Sequence, residues 1–175
     1  MQPLVDEIAA AFADRAYPGD DAITRCGYDR RNGGEFDGPC DDCARMAQFF
    51  RGRPWRDLRP ADLFRHGQTP SLFTNPAYCY FLPAYLIGEL EDSKAMDMAG
   101  EYLVWDFGPK PGDASSEGRL SEILGSLTER ELHAVLQFFI HLRDVRYDES
   151  AYVSWAVENL ERAIAARQGS RSSPG

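Results

Sequence analysis

The segment from Asn75 to Glu91 constrains this chain more than any other stretch. Ala77, Tyr78, Tyr80, Phe81, Leu82, Tyr85, Leu86, Ile87 and Leu90 leave almost no polar stripe. A helix that is apolar all round belongs in the centre of a fold, because each of its faces has to be taken out of water. Thr74 is placed to cap it, and Pro76 is tolerated in its first turn. Pro83 lies inside it and cannot donate to the carbonyl of Cys79, so a kink is expected there. The run from Ala77 to Gly88 is too short to span a bilayer, which needs about 20 residues.

Other helices follow from the apolar period. Leu4, Ile8 and Phe12 recur every four residues behind Pro3, giving an amphipathic helix to about Arg15. Tyr17-Pro18-Gly19-Asp20-Asp21 ends it in a turn. Residues 26–39, with Asn32-Gly33-Gly34 and Gly38-Pro39, read as loop. A helix follows from about 39–42 to Phe50, with Asp41 and Asp42 favourable in its first turn. Gly52 and Pro54 close it, Trp55-Arg56-Asp57-Leu58 is a connector, and a short helix covers Pro60 to Arg65. A further helix is expected from Ser93 to Trp105, then a mobile loop over 106–118. Thr128-Glu129-Arg130-Glu131 has capping-box spacing. Behind it Leu132, Val135, Leu136, Phe139, Leu142 and Val145 form a core stripe. A last helix spans about 149–167, and residues 169–175 read as a disordered tail. The expected fold is all-α: a single domain over 1–168, with six or seven helices around the Pro83-kinked segment.

Composition supports a globular chain. The 175 residues are 43% apolar, with 10 Phe, 8 Tyr and 3 Trp, which excludes disorder. Net charge is -9 and the pI is about 4.8. That balance makes a phosphate backbone an unsuitable ligand, so no nucleic-acid partner is expected. It suits a basic protein partner, or simply solubility. The charge is uneven: residues 26–70 carry 8 Arg against 7 acids, while residues 71–126 carry 3 bases against 9 acids. Lys94 and Lys110 are the only lysines beside seventeen arginines, a bias of the kind a GC-rich bacterial genome produces. The N-terminus shows no basic leader followed by an apolar run. A cytoplasmic chain without membrane contact is therefore expected, with its four cysteines reduced.

Four groups of side chains invite a chemical reading. Cys40-Asp41-Asp42-Cys43 supplies two thiols from one turn, and Cys26 with His66 could complete a Cys3His zinc site. The competing reading is free thiols packed as small apolar groups. Redox chemistry is disfavoured, because two aspartates between the cysteines oppose a thiolate. Asp20 and Asp21 on their turn could face a metal or a basic partner, or could only shape the turn. Trp55 and Arg56 are residue types that anchor interfaces, although a Trp after a helix also serves as a lid on the core. His133 and His141 stand eight apart, about 80° around a helix axis, and so form no ligand pair. No G-x-S-x-G, phosphate-binding glycine loop or H-E-x-x-H is present.

Three segments in order carry a resemblance: Phe12 to Ile23 with its Tyr-Pro-Gly-Asp-Asp turn, Trp55 to Leu58, and Tyr80 to Leu86. Over roughly residues 4–145 the chain resembles a family of small uncharacterised bacterial proteins, a domain of unknown function. The resemblance implies no activity. It does imply that Tyr17, Asp20, Asp21, Trp55 and Asp57 form a structural unit, with Arg53 or Arg56 paired to an aspartate of the turn, and these five with Arg56 are the expected binding residues. Two functions are expected on these grounds. One is an acidic interaction protein that neutralises a basic partner, as toxin-immunity proteins do. The other is an enzyme or accessory protein of a biosynthetic pathway, with a pocket lined by aromatics such as Tyr78, Tyr80 and Tyr85.

Overall fold

The computed structural model describes residues 1–25, 41–66, 70–146 and 150–171. Among the described residues the fold is all-α, with eight α-helices. These are α1 (Gln2–Ala11), α2 (Asp41–Phe50), α3 (Pro60–His66), α4 (Asn75–Met96), α5 (Met98–Phe107), α6 (Ala114–Ser126), α7 (Glu129–Val145) and α8 (Ala151–Arg171). The chain divides into two compact units, one of Met1–Asp14 with Glu101–Gly175 and one of Arg15–Gly100.

The Arg15–Gly100 unit is organised by α4. Every residue from Ala77 to Leu86 is buried, as a helix without a polar stripe requires. Helix α3 and the short turn Trp55–Asp57 pack on it, and α2 packs on α3. Helix α2 shows the ordinary amphipathic pattern, burying Cys43, Met46 and Phe50 at three- and four-residue intervals. Its Phe50 enters a cluster of rings: Phe50 lies 4.9 Å from Phe73 and 4.8 Å from Phe81, and Phe73 lies 5.2 Å from Phe81. The tilted and edge-to-face arrangements suit the ring quadrupoles.

Thr74 fixes where α4 begins. Its hydroxyl accepts from the Ala77 amide at 3.3 Å, the expected cap, and also donates to the Ala22 carbonyl. Beside it the chain makes an isolated antiparallel bridge between Thr24 and Phe73. Arg25 donates to the Leu72 carbonyl at 2.8 Å and Thr74 to that of Ile23 at 3.1 Å.

The break in α4 falls elsewhere than expected. Helical dihedrals continue through Pro83, although its ring withholds the amide that would bond the Cys79 carbonyl. The non-helical residue is Asp92, with φ -151° and ψ 75°. Its carboxylate accepts from the Ala95 amide at 3.1 Å and so starts a fresh turn. Asp97 then adopts φ 46° and ends the helix before α5.

In the other unit α7 packs along α8 and α1 packs on α7, and Ile8 and Phe12 are fully buried. The capping box forms as its spacing predicts. The Thr128 hydroxyl accepts from the Glu131 amide at 3.2 Å, and the Glu131 carboxylate accepts from the Thr128 amide at 2.6 Å. The α7 stripe is buried from Leu132 to Leu142, but Val145 is 70% exposed, because the helix ends there. Helix α5 meets α8 where a Cβ on Gly108 would overlap the Tyr152 carbonyl, so only glycine fits.

Several boundaries differ from the sequence reading: α4 runs on to Met96 and α5 covers Met98–Phe107, where a helix from Ser93 to Trp105 is expected. Helix α1 ends at Ala11 and not near Arg15. Helix α8 continues to Arg171, past the expected end at 167, and residues 172–175 lie outside the described residues. Helix α6 begins inside the expected loop over 106–118 and continues to Ser126. Gly118 and Gly125 hide it by lowering helix propensity, while Asp113 supplies the cap by accepting from the Ser116 amide at 3.3 Å. No helix among the described residues is long and apolar enough to cross a membrane.

Phe73→Ala should cost about 3–5 kcal/mol, the range for emptying a buried ring site. Thr74→Ala should cost about 1–2 kcal/mol, the loss of a cap. Denaturant unfolding followed by helical circular dichroism reads both, and a Phe73→Ala loss below about 1 kcal/mol would show that the ring cluster is not the core.

Candidate interaction groove

A concave surface lies on the Met1–Asp14 and Glu101–Gly175 unit, between α6, α8 and the segment joining α5 to α6. It encloses about 860 Å³. Helix α6 presents Glu117, Leu120, Ser121 and Leu124, at the three- and four-residue spacing of one face. Helix α8 presents Trp155, Glu158, Asn159, Arg162 and Ala163 at the same spacing, with Glu161 on the flank. Pro109 and Pro111 close one side. The floor is apolar, from Leu120, Leu124, Trp155 and the prolines. The rim carries three carboxylates against one guanidinium.

The walls are tied together. Asn159 donates through Nδ2 to the Phe107 carbonyl at 2.9 Å, and Arg167 donates to the Leu124 carbonyl at 2.7 Å. Arg119 on α6 pairs with Asp106 on α5 at 3.8 Å, each about one-seventh exposed. The connecting segment is held by the Glu117 carboxylate, which accepts from the Gly112 amide at 2.9 Å. Asp113 accepts from both the hydroxyl and the amide of Ser116, and these bonds hold its carboxyl below the usual carboxylate range. Tyr152, 41% exposed, meets Trp155 edge to face at 5.3 Å.

The residues singled out in the sequence lie in the Arg15–Gly100 unit and form a different structure. The Tyr17 hydroxyl donates to the Asp20 carboxylate at 2.8 Å and accepts from the Gly52 amide at 2.8 Å. Its ring meets Tyr80 edge to face at 5.3 Å. The turn thereby ties the end of α2 to α4. Arg51 lies 3.9 Å from Asp20. Neither Arg53 nor Arg56 takes that place as expected, since Arg53 lies over the Phe49 ring at 4.0 Å and Arg56 over the Trp55 ring at 4.4 Å. Trp55 is buried, 3% exposed, and is a lid on the core. It borders a small cavity of about 90 Å³ with Arg56, Ala84 and Ile87. Asp21 and Asp57 are exposed.

Of the four proposed zinc ligands, Cys26 and Cys40 lie outside the described residues. Cys43 is buried in α2, and the His66 ring stacks on Phe49 at 3.9 Å. Among the described residues no three His, Cys, Asp or Glu side chains gather as a metal site. Tyr78, Tyr80 and Tyr85, expected to line a pocket, are core residues. The sequence reading does not show the groove, because the start of α6 falls in the expected loop over 106–118 and residues 119–127 are assigned to no element. The Asp113-x-x-Ser116 cap and the Trp155, Glu158, Asn159, Arg162 face were the available signals. No known protein family, curated protein or solved structure matches the chain.

Desolvation by burial, reinforced by the neighbouring Asp20, pushes the Tyr17 phenol above its ordinary value of 10.0. The fold thus favours the protonated phenol. That contribution is present below pH 10 and is lost as pH rises through the raised value. Tyr17→Phe should cost about 1–2 kcal/mol at neutral pH, from its two lost hydrogen bonds, and should flatten the alkaline fall in stability. Urea midpoints measured from pH 7 to pH 11 read both; an unchanged alkaline slope would remove Tyr17 as its source.

Arg119→Ala should cost about 3 kcal/mol by leaving the Asp106 charge enclosed without its guanidinium. Asp106→Asn in the same chain should recover part of that loss. Thermal melting of the single and double variants measures the coupling, and strictly additive losses would show that the pair is not an energetic unit.

Proposed function

We propose that this chain is an interaction protein that binds a basic protein partner, in the manner of toxin-immunity proteins. One observation carries the reading: the exposure of its carboxylates. Of the nine acids in residues 71–126, Glu89 is buried and Asp106 is paired with Arg119. The other seven are exposed. Asp92, Asp113 and Glu117 also accept from backbone amides, while Glu91, Asp97 and Glu101 face solvent within a chain of net charge -9. Such a surface raises the encounter rate with a basic protein and repels acidic ones. The alternative, an enzyme or pathway accessory protein, required a pocket walled by Tyr78, Tyr80 and Tyr85, and their place in the core lends it no support.

The test is capture of a basic partner from the source cells on immobilised full-length chain at low ionic strength. The captured protein is then purified and its affinity for the chain measured against salt. The expected result is one dominant basic protein that elutes as salt rises toward roughly 0.5 M, where screening shortens to a few ångströms. Failure to elute any basic protein with salt would sink the reading.

A further inference from the structure

We infer that the groove between α6 and α8 is the docking site for a short basic segment of the partner, one apolar side chain flanked by Lys or Arg. This inference rests on the interaction reading above and gives it a location and a chemistry. The groove has the two components that such a segment needs. Its floor of Leu120, Leu124 and Trp155 with the two prolines takes an apolar anchor. Its rim places Glu117, Glu158 and Glu161 around that floor against the single Arg162.

Charge complementarity selects the occupant. An acidic segment would meet three carboxylates, and a purely apolar one would leave them facing a desolvated surface without compensation. A Lys or Arg on either side of the anchor pairs with the rim. Glu158 and Glu161 are exposed. Arg162 is engaged by the Asn159 side chain, which itself holds the Phe107 carbonyl. Among the described lining residues, the one cation is thus held by a neighbouring side chain of the same wall.

Size sets the length. Glu117 to Leu124 spans seven helical steps, about 11 Å. An extended peptide covers that distance in three or four residues. The volume of about 860 Å³ holds several side chains. The exposed Tyr152 beside Trp155 adds an aromatic edge of the kind that anchors interfaces. The walls are already braced by the Asp106–Arg119 pair and the Arg167 bond to Leu124, so binding does not have to order them.

The probe is a fluorescein-labelled Arg-Leu-Lys repeat peptide, with a Glu-Leu-Glu repeat as control, read by anisotropy against the full chain. The expected result is binding of the basic peptide alone, weakening as salt rises. The double variant Glu158→Gln/Glu161→Gln should weaken it about tenfold, as two lost rim pairs would. Glu91→Gln/Asp97→Gln removes the same charge from the other unit and should change binding less than about twofold. Trp155→Ala, confirmed as folded by circular dichroism, should abolish the apolar contribution that persists at high salt. Equal effects of the two double variants, or no effect of either, overturn the groove while leaving the acidic interaction reading intact. Capture of a basic partner protein without any binding of the peptide does the same. Failure of both peptide and protein binding brings down both readings.

Discussion

A helix with no polar side has to be covered on every side, and the Arg15–Gly100 unit is built around that requirement. From Ala77 to Leu86 nothing in α4 faces water. Each buried Phe, Leu or Tyr there gains about 1.5–3 kcal/mol from burial, provided that its neighbours close over it. Helix α3, the Trp55–Asp57 turn and the rings of Phe50 and Phe73 supply part of that closure. Thr74 matters because it fixes the start of this helix. One hydroxyl serves as cap and as tether to Ala22, so the same residue ends a loop, begins a helix and joins two distant parts of the chain.

The motifs that stand out in the sequence do structural work in this scheme. Tyr17 joins its turn to Gly52 and Tyr80, Trp55 seals the core, and Arg56 lies on Trp55. Their polarity is used for bonds within the fold. The groove shows the opposite economy. Its cap, its Asn159 bond and its ion pair hold the walls, while Glu158 and Glu161 stay exposed. Carboxylates left in solvent around an apolar floor are available for a partner in a way that the Tyr-Pro-Gly-Asp-Asp turn is not.

Local chemistry made much of the fold legible. The Thr128–Glu131 capping box, the four-residue period of α1 and the unrelieved apolarity of α4 each depend on neighbours a turn away, and each is present as read. The misreadings share a cause. Pro83 weighs against a regular helix locally, yet burial on all sides keeps the helical dihedrals, and the break falls at Asp92, where the side chain can cap a new turn. The glycines of α6 weigh against a helix, yet Leu120 and Ile123 find a buried surface and the Arg119–Asp106 pair fixes the helix to α5. In both places tertiary packing overrode local propensity.

The sequence by itself determined that this chain is helical and acidic and that it holds one segment that must be hidden, because periodicity, charge and capping are properties of residues close together along the chain. Only the tertiary structure decided which arginine approaches Asp20, that Trp55 faces inward, and that Leu120, Leu124 and Trp155 lie between Glu117, Glu158 and Glu161. The pairings among them join segments 31 to 44 positions apart, and no local pattern encodes which of many compatible partners the packing of helices will bring within reach.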